Sequence, residues 1–377
     1  MKVRQYLGFE SDNRISIDIY ADSIAQGLQG RSINLELFQA QSSLERYANS
    51  IFLMRYLRYL NYSRQIPMGA VDVHHVLDHG YAHLHPKLKG GKTCITVHDL
   101  IPMLNWKGAI APVMSPTSIG PSIKPKVAKP MLNLYSLGFL DKYDQIIAVS
   151  NSTAQDMVEH LSISLDKISI IPPVISSRFQ PNDSESIAEF SRQYELDRSC
   201  KWVMVSGQEF YKNHLGSLLV LEQLKKHTGM DIKIIKTGKP SAEFDQLVSS
   251  LGLEDSVRQV FFEDPDDLPK LYSFVDCLLF SSLYEGFGMP VIEAFACGTP
   301  VVTSNRGSLP EVVGSLAPTF DPSDIDGMAA AIKNILEVDA PESGRLTHDG
   351  PLWVKQFRAD AVCQRMEQLY IEMSDLV

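Results

Sequence analysis

Cys277–Thr303 reads CLLFSSLYEGFGMPVIEAFACGTPVVT. An apolar run, Cys277–Phe280, enters a glycine-bearing loop, and a second apolar pair, Val301-Val302, follows Gly298-Thr299-Pro300. The pattern predicts strand, glycine loop, helix, glycine stop, strand. Glu285 and Glu293 flank Gly286, Gly288 and Pro290. Glycine lets backbone approach a ligand closely. Proline is at home at the first helical position, where its missing N–H would be unpaired anyway. The helix is therefore expected to start near Gly288, Met289 and Pro290, with its free N–H groups and positive dipole end favouring an anion such as phosphate. Glu285 precedes that start and Glu293 lies about one turn inside it. Each carboxylate can accept hydrogen bonds from neighbouring sugar hydroxyls, as an acidic residue does with ribose in dinucleotide folds. The alternative is a buried strand-to-helix turn with solvated glutamates.

Outward from this unit, the chain alternates strand-like and helix-like segments. Strand-like runs occupy Ile33–Phe38, Val71–Val76, Thr93–Val97, Gln145–Val149 and Ile168–Ile171, then Trp202–Ser206, Ile232–Thr237, Val257–Phe262, Asp276–Phe280, Pro300–Thr303 and Ala317–Phe320. Helical patterns lie between them, for instance Leu215–Lys226 and Ala242–Leu251. This alternation predicts parallel sheets flanked by helices, an α/β fold. Eleven runs are many for one sheet, so two doubly wound domains are expected. At 377 residues the chain is long enough for both. The seam is placed after Pro172-Pro173, dividing the chain into 1–174 and 175–354. A last helix, about Trp353–Met373, carries one apolar face through Phe357, Ala361, Met366, Leu369 and Tyr370. Asn105–Pro130 reads as a long loop rich in proline, serine and glycine.

Composition narrows the partners. With 35 Lys and Arg against 45 Asp and Glu, the formal charge is −10, which argues against electrostatic binding of nucleic acid. The five cysteines are scattered without zinc-like spacing, as expected of buried thiols in a reducing cytoplasm. No apolar run approaches the roughly 20 residues that span a bilayer. The opening MKVRQYLGFESDN lacks the apolar core of a signal peptide. A cytoplasmic protein, at most peripherally attached to the inner membrane face, is expected.

The Glu285–Thr303 string resembles the signature of glycosyltransferase family 4, EGFG-[LM]-P-x-x-E-A-x-A-x-G-x-P-V-V. The resemblance extends along most of the chain. TVHDLIP, Thr96–Pro102, is similar to the family's His-Asp-x-x-Pro segment, and IIAVSNSTAQDM, Ile146–Met157, to its strand, serine and helix, where Ser150 and Ser152 can cap. VSGQEFYKNH, Val205–His214, sits in the slot of a Gly-Arg and a Lys-Asn. IIKTGKP, Ile234–Pro240, resembles the glycine turn near the nucleotide, Val260–Tyr272 the segment lining its base, and Asn305–Glu311 the segment closing the donor pocket.

The resemblance implies the GT-B architecture: two facing Rossmann-like domains with an interdomain cleft, and the C-terminal helix (355–377) crossing back to the N-terminal domain. It implies a retaining, metal-independent hexosyltransferase with no cofactor, a nucleotide sugar being a substrate. It assigns Glu285, His98 and Lys212 to catalysis. It assigns Gly207, Gln208, Lys212, Gly238, Glu285, Gly286, Phe287, Gly288, Met289 and Glu293 to donor binding. The implied donor is UDP-glucose, with GDP-mannose next, and the acceptor a glycan or lipid-linked oligosaccharide of polysaccharide synthesis. Asp264-Pro265-Asp266 is formally Asp-x-Asp, a metal-binding pattern in another glycosyltransferase fold. Here it precedes a helix, where acidic residues suit the dipole, and no metal is assigned to it.

Two departures keep other readings open. Gln208 stands where the family has an arginine that grips the diphosphate, and glutamine offers neither the charge nor the bidentate fork. Arg306 or Lys239 is a candidate to compensate. The N-terminal segment Asp12–Asp18 has no glycine where relatives carry a glycine loop. A non-catalytic donor-binding partner subunit is therefore one alternative. A sugar-nucleotide epimerase or phosphorylase of the same fold is another, although the Glu285–Glu293 signature points away from it. A nicotinamide dehydrogenase is disfavoured because no G-x-G-x-x-G follows the first strand.

Overall fold

The computed structural model describes residues 1–9, 15–42, 57–110, 130–337 and 348–375. Two compact units emerge. One comprises Met1–Trp106, Ala128–Val174 and Phe357–Val377, and most of the other is Ile175–Gln356. Asp12–Arg14 and residues 111–129 of the expected loop lie outside the described residues. Asn105 and Trp106, read as loop, instead end a short helix, Ile101–Trp106.

The first unit holds a parallel sheet of β1 (Lys2–Tyr6), β2 (Asn34–Phe38), β3 (Val73–Val76), β4 (Lys92–Val97), β5 (Gln145–Ala148) and β6 (Ile168–Ile170), in the order β2-β1-β3-β4-β5-β6. The strand-like runs begin at Ile33 and omit β1, yet β1 lies inside the sheet. Lys2, Arg4 and Gln5 break its apolar pattern. Tertiary partners hold two of them: Arg4, 3 % exposed, pairs with both carboxylate oxygens of Glu36 on β2. Gln5 donates to the Tyr370 hydroxyl at 3.0 Å.

Tyr370 belongs to the C-terminal helix. That helix buries Val362, Cys363, Met366, Leu369 and Met373 in one core with Val3 of β1 and with Tyr20 and Ile24 of α1 (Ile15–Leu28). The two helices cross closely at Gly27, where an added Cβ would lie 2.4 Å from Cys363 Sγ and 3.2 Å from Ala359 Cβ. All five cysteines are buried and none forms a disulfide.

The second unit holds β7 (Lys201–Val205), β8 (Ile232–Thr237), β9 (Val257–Val260), β10 (Cys277–Phe280), β11 (Val301–Ser304) and β12 (Thr319–Phe320), all parallel, in the order β12-β11-β10-β7-β8-β9. Its core joins Val203, Ile234 and Leu279 of the sheet to Leu218 and Leu221 of α2 (His214–Thr228), Phe244 and Leu247 of α3 (Ala242–Ser250) and Met328 and Ile332 of a helix at Ile325–Leu336. The strand order reverses between β7 and β10. In open α/β sheets the crevice for ligands lies at the carboxyl ends of the strands at such a point.

Gly27→Val should lower stability by about 1–3 kcal/mol, the usual cost of overpacking a filled contact. Thermal unfolding reads it out; an unchanged Tm would show that the crossing has slack.

Candidate functional site

The two segments that leave β7 and β10 meet at this reversal. After β7, Gly207 adopts φ +95°, and an added Cβ there would lie 2.6 Å from Lys212 Cε. Glycine therefore lets the Lys212 stem cross the turn. After β10, the loop Ser281–Gly288 is buried throughout. Lys212 Nζ lies 2.8 Å from Glu285 Oε1, with side chains only 11 % and 9 % exposed. The ammonium also lies 4.8 Å from the Phe280 ring centre and 5.3 Å from that of Tyr211, which suits a cation over aromatic faces.

A buried loop must have its backbone satisfied by neighbours. Leu283 N–H donates to Tyr211 carbonyl at 2.7 Å. Asn213, held in the left-handed region at φ 55°, donates its amide to Ser281 carbonyl at 3.0 Å and caps α2 by accepting from Gly216 N–H. Ser308 closes the far side: its N–H donates to Glu285 carbonyl, and its hydroxyl lies 2.7 Å from Phe287 O and 3.1 Å from Glu285 O. Gly307, at φ +56°, comes so close that a Cβ would sit 2.4 Å from Glu285 O. Ser308, with Gly307 before it, is thus the clamp that holds the Glu285 backbone in place. Its residues are turn-like by type, so their partner was visible only in three dimensions.

Gly288, at φ +100°, caps the helix α4 (Met289–Ala296), with Pro290 in its first turn. Its missing side chain admits Leu309, whose Cδ2 would lie 2.7 Å from a Cβ. Gly286 and Phe287 are buried in the same loop and Met289 is half-buried. Glu293, one turn into α4, accepts from the Tyr272 hydroxyl at 2.9 Å. It is half-buried by surface exposure, yet burial raises its carboxyl to about 7, against the lowering effects of the Tyr272 hydrogen bond and the charges of Lys212 and Arg178. Lys212, Glu285, Gly288 and Glu293 therefore form one cluster.

Gln208 is exposed and packs on Gly238, where an added Cβ would lie 3.1 Å from its Nε2. Neither suggested substitute for an arginine is turned to the cluster by a contact: Arg306 pairs with Asp321, and Lys239 is exposed. Two residues that the motif reading passed over lie behind this turn. The ring nitrogens of His214 are buried beside the Gly207 backbone, and the ammonium of Lys236 is buried without a hydrogen-bond partner among the described residues. A lysine after two isoleucines in a strand was the available signal.

His98 belongs to the first unit. It follows β4, its Nε2 lies 2.9 Å from Leu77 O, and its ring packs edge-on to Tyr20 at 5.0 Å. Ser150 caps the next helix, Asn151–Leu161, by accepting from Thr153 N–H at 3.0 Å. At the Asp-x-Asp, Asp264 accepts from Asp266 N–H at 2.8 Å, and Asp266 immediately precedes the helix Asp267–Phe274. Among the described residues no three His, Cys, Asp or Glu side chains are grouped to hold a metal ion, and no helix is long and apolar enough to cross a membrane.

Two family models match the sequence: Glycosyltransferase Family 4 over residues 17–178 and Glycosyl transferases group 1 over 186–348, together most of the chain. The O-antigen chain mannosyltransferase B of Escherichia coli is 32 % identical over 204 residues, which cover 53 % of this chain and 54 % of that protein. The chain spans about half the length of the curated relatives it matches. Among solved structures, sucrose-phosphate synthase from Thermosynechococcus elongatus superposes with a TM-score of 0.75 at 16 % identity over 100 % of both chains. HepE of Anabaena in complex with UDP and glucose gives 0.70 at 16 % identity, over 98 % of this chain and 99 % of that one. At that identity the likeness is one of fold: an α/β protein of two Rossmann-like domains, the GT-B class.

Glu293 predicts a pH dependence of stability. Its folded value, about 7, lies above the ordinary 4.5. Between the two, the unfolded chain has lost a proton that the folded chain retains. Stability therefore falls as pH rises through that window, by at most about 3 kcal/mol, and is level above it. Glu293→Gln should flatten that slope in chemical denaturation; an identical slope in the mutant would assign it elsewhere.

Proposed function

Because the chain belongs to glycosyltransferase family 4, we propose that it transfers a hexose, with retention, from a nucleotide sugar to a glycan or lipid-linked acceptor in polysaccharide synthesis. The observation that carries this reading is the buried Lys212–Glu285 pair beside the Gly288 helix start, at the strand reversal of the second unit. The donor diphosphate lies against that helix start and the Lys212 ammonium. Glu285 and the N–H groups of Phe287, Gly288 and Met289 hold the sugar hydroxyls, and Glu293 holds the ribose. Gly207 and Gly238 keep the backbone close to the nucleotide, with Gln208 beside them. His98 is a proposed contributor at the sugar.

In the transfer, the bond from the anomeric carbon to the diphosphate oxygen breaks and negative charge builds on the phosphate. Lys212 and the helix start stabilise that charge. The acceptor oxygen bonds the anomeric carbon from the same face, and its proton passes to the leaving phosphate. No metal and no carboxylate nucleophile takes part.

The relatives named as mannosyltransferases favour a mannosyl donor, GDP-mannose. UDP-glucose, the donor implied by the sequence resemblance, is the second reading. The protein acts on the cytoplasmic side, at most peripherally attached to the membrane.

A calorimetric screen of GDP, UDP and ADP sugars should show binding of GDP-mannose. A preference for UDP-glucose would reverse the order of donors, and absence of any binding would sink the enzyme reading. Lys212→Ala should lower transfer by about 100-fold or more, on the scale of losing one stabilising charge. It should also lower Tm, because Glu285 loses its buried counter-charge. Unchanged kinetics would remove Lys212 from the reaction.

A further inference from the structure

Lys236 occupies the penultimate position of β8 and has no exposed surface. Its ammonium has no hydrogen-bond partner among the described residues. Burying a charge without a partner costs several kcal/mol, and an apolar side chain at such a place is usually better for stability. The neighbouring Ile234 and Ile235 show what the strand otherwise uses. What contacts the lysine is a ring: Nζ lies 5.1 Å from the centre of Phe244 on α3.

The same ring receives the edge of His214, at 5.2 Å and 77°. His214 opens α2, one residue after Asn213 and two after Lys212. The Phe244 ring thus joins two basic groups, and the chain joins the second to Lys212. Burial first, then the charges of Lys236 and Lys212, push the His214 imidazole down to about 4, so it is neutral and adds no charge of its own. Burial lowers the Lys236 ammonium, while the carboxylates of Asp245 and Glu209 oppose that lowering. Above this group stands the Gly207–Gln208 turn, resting on Gly238 at the end of β8. That is where the family's arginine is replaced by an uncharged side chain.

We infer that Lys236 supplies, from beneath the turn, the second positive charge that the donor diphosphate requires and that Gln208 cannot give. The inference rests on the nucleotide-sugar reading of the second unit. A charge held in a low-dielectric interior is screened far less than one in water, so it acts on an anion without touching it. It also costs no side-chain ordering when the ligand arrives, because the lysine is already packed.

The test is calorimetric titration of wild type and Lys236→Met with GDP and UDP, each set against its bare nucleoside. The methionine keeps the length of the stem and removes the charge. Diphosphate affinity should fall about tenfold, the effect of roughly one weak charge interaction. Nucleoside affinity should not change, and Tm should equal or exceed that of the wild type. Gln208→Arg added to Lys236→Met should restore the diphosphate affinity. Lys236→Ile, using the residue type of its strand neighbours, repeats the measurement if methionine packs poorly. Diphosphate binding that survives both substitutions overturns the inference, as does an equal loss for diphosphate and nucleoside, which would mark a packing role. A wild type that binds neither diphosphate overturns the donor reading and this inference together.

Discussion

The ion pair between Lys212 and Glu285 lies almost wholly out of water, and the surrounding structure is arranged to tolerate it. Removing two charges from solvent costs more than their attraction returns unless the geometry is good and other polar groups are satisfied. Here the loop around Glu285 is satisfied from several elements at once, by Asn213 from the start of α2 and by Ser308 from the turn after β11. Gly207 and Gly307 remove the side chains that would block the approach from either side. An ammonium has three N–H donors, and the Glu285 contact takes one of them. The pair is therefore compatible with a further acceptor at the same nitrogen.

Three groups near this pair, two half-buried and one buried, are unfavourable for folding alone. Glu293 is raised to about 7, His214 is held down to about 4, and the Lys236 ammonium has no hydrogen-bond partner among the described residues. A chain selected only for stability would place apolar residues at such positions. Perturbed titratable groups gather at functional sites because ligand chemistry needs charge in poorly screened surroundings. Their concentration around the ends of β7, β8 and β10 agrees with the strand reversal in making this region the candidate site.

Much of the second unit was legible in sequence order. Apolar runs of four to six residues, punctuated by glycine and proline, found β7 to β12 to within one or two residues, because parallel strands buried on both faces read as continuous apolar segments. The helix start at Gly288-Met289-Pro290 was legible for a local reason: proline and glycine state their backbone preferences without help from the rest of the chain. In the first unit that logic missed β1. Arg4 and Gln5 look like surface residues until Glu36 and Tyr370, far along the chain, provide their partners.

The sequence by itself determined the α/β alternation, the two-part organisation, the glycine-to-helix turn and the two glutamates that flank it, since each depends on short-range pattern and residue type. Tertiary structure alone decided that Lys212 meets Glu285, 73 residues away, and that Ser308 clamps the loop that carries Glu285. It alone showed that Lys236 is a buried lysine rather than a surface one. Pairing across strands and the depth of a side chain are properties of the folded sheet. A lysine carries the same letter whether solvent or protein surrounds it, and only the packing fixes what its charge costs and what it can do.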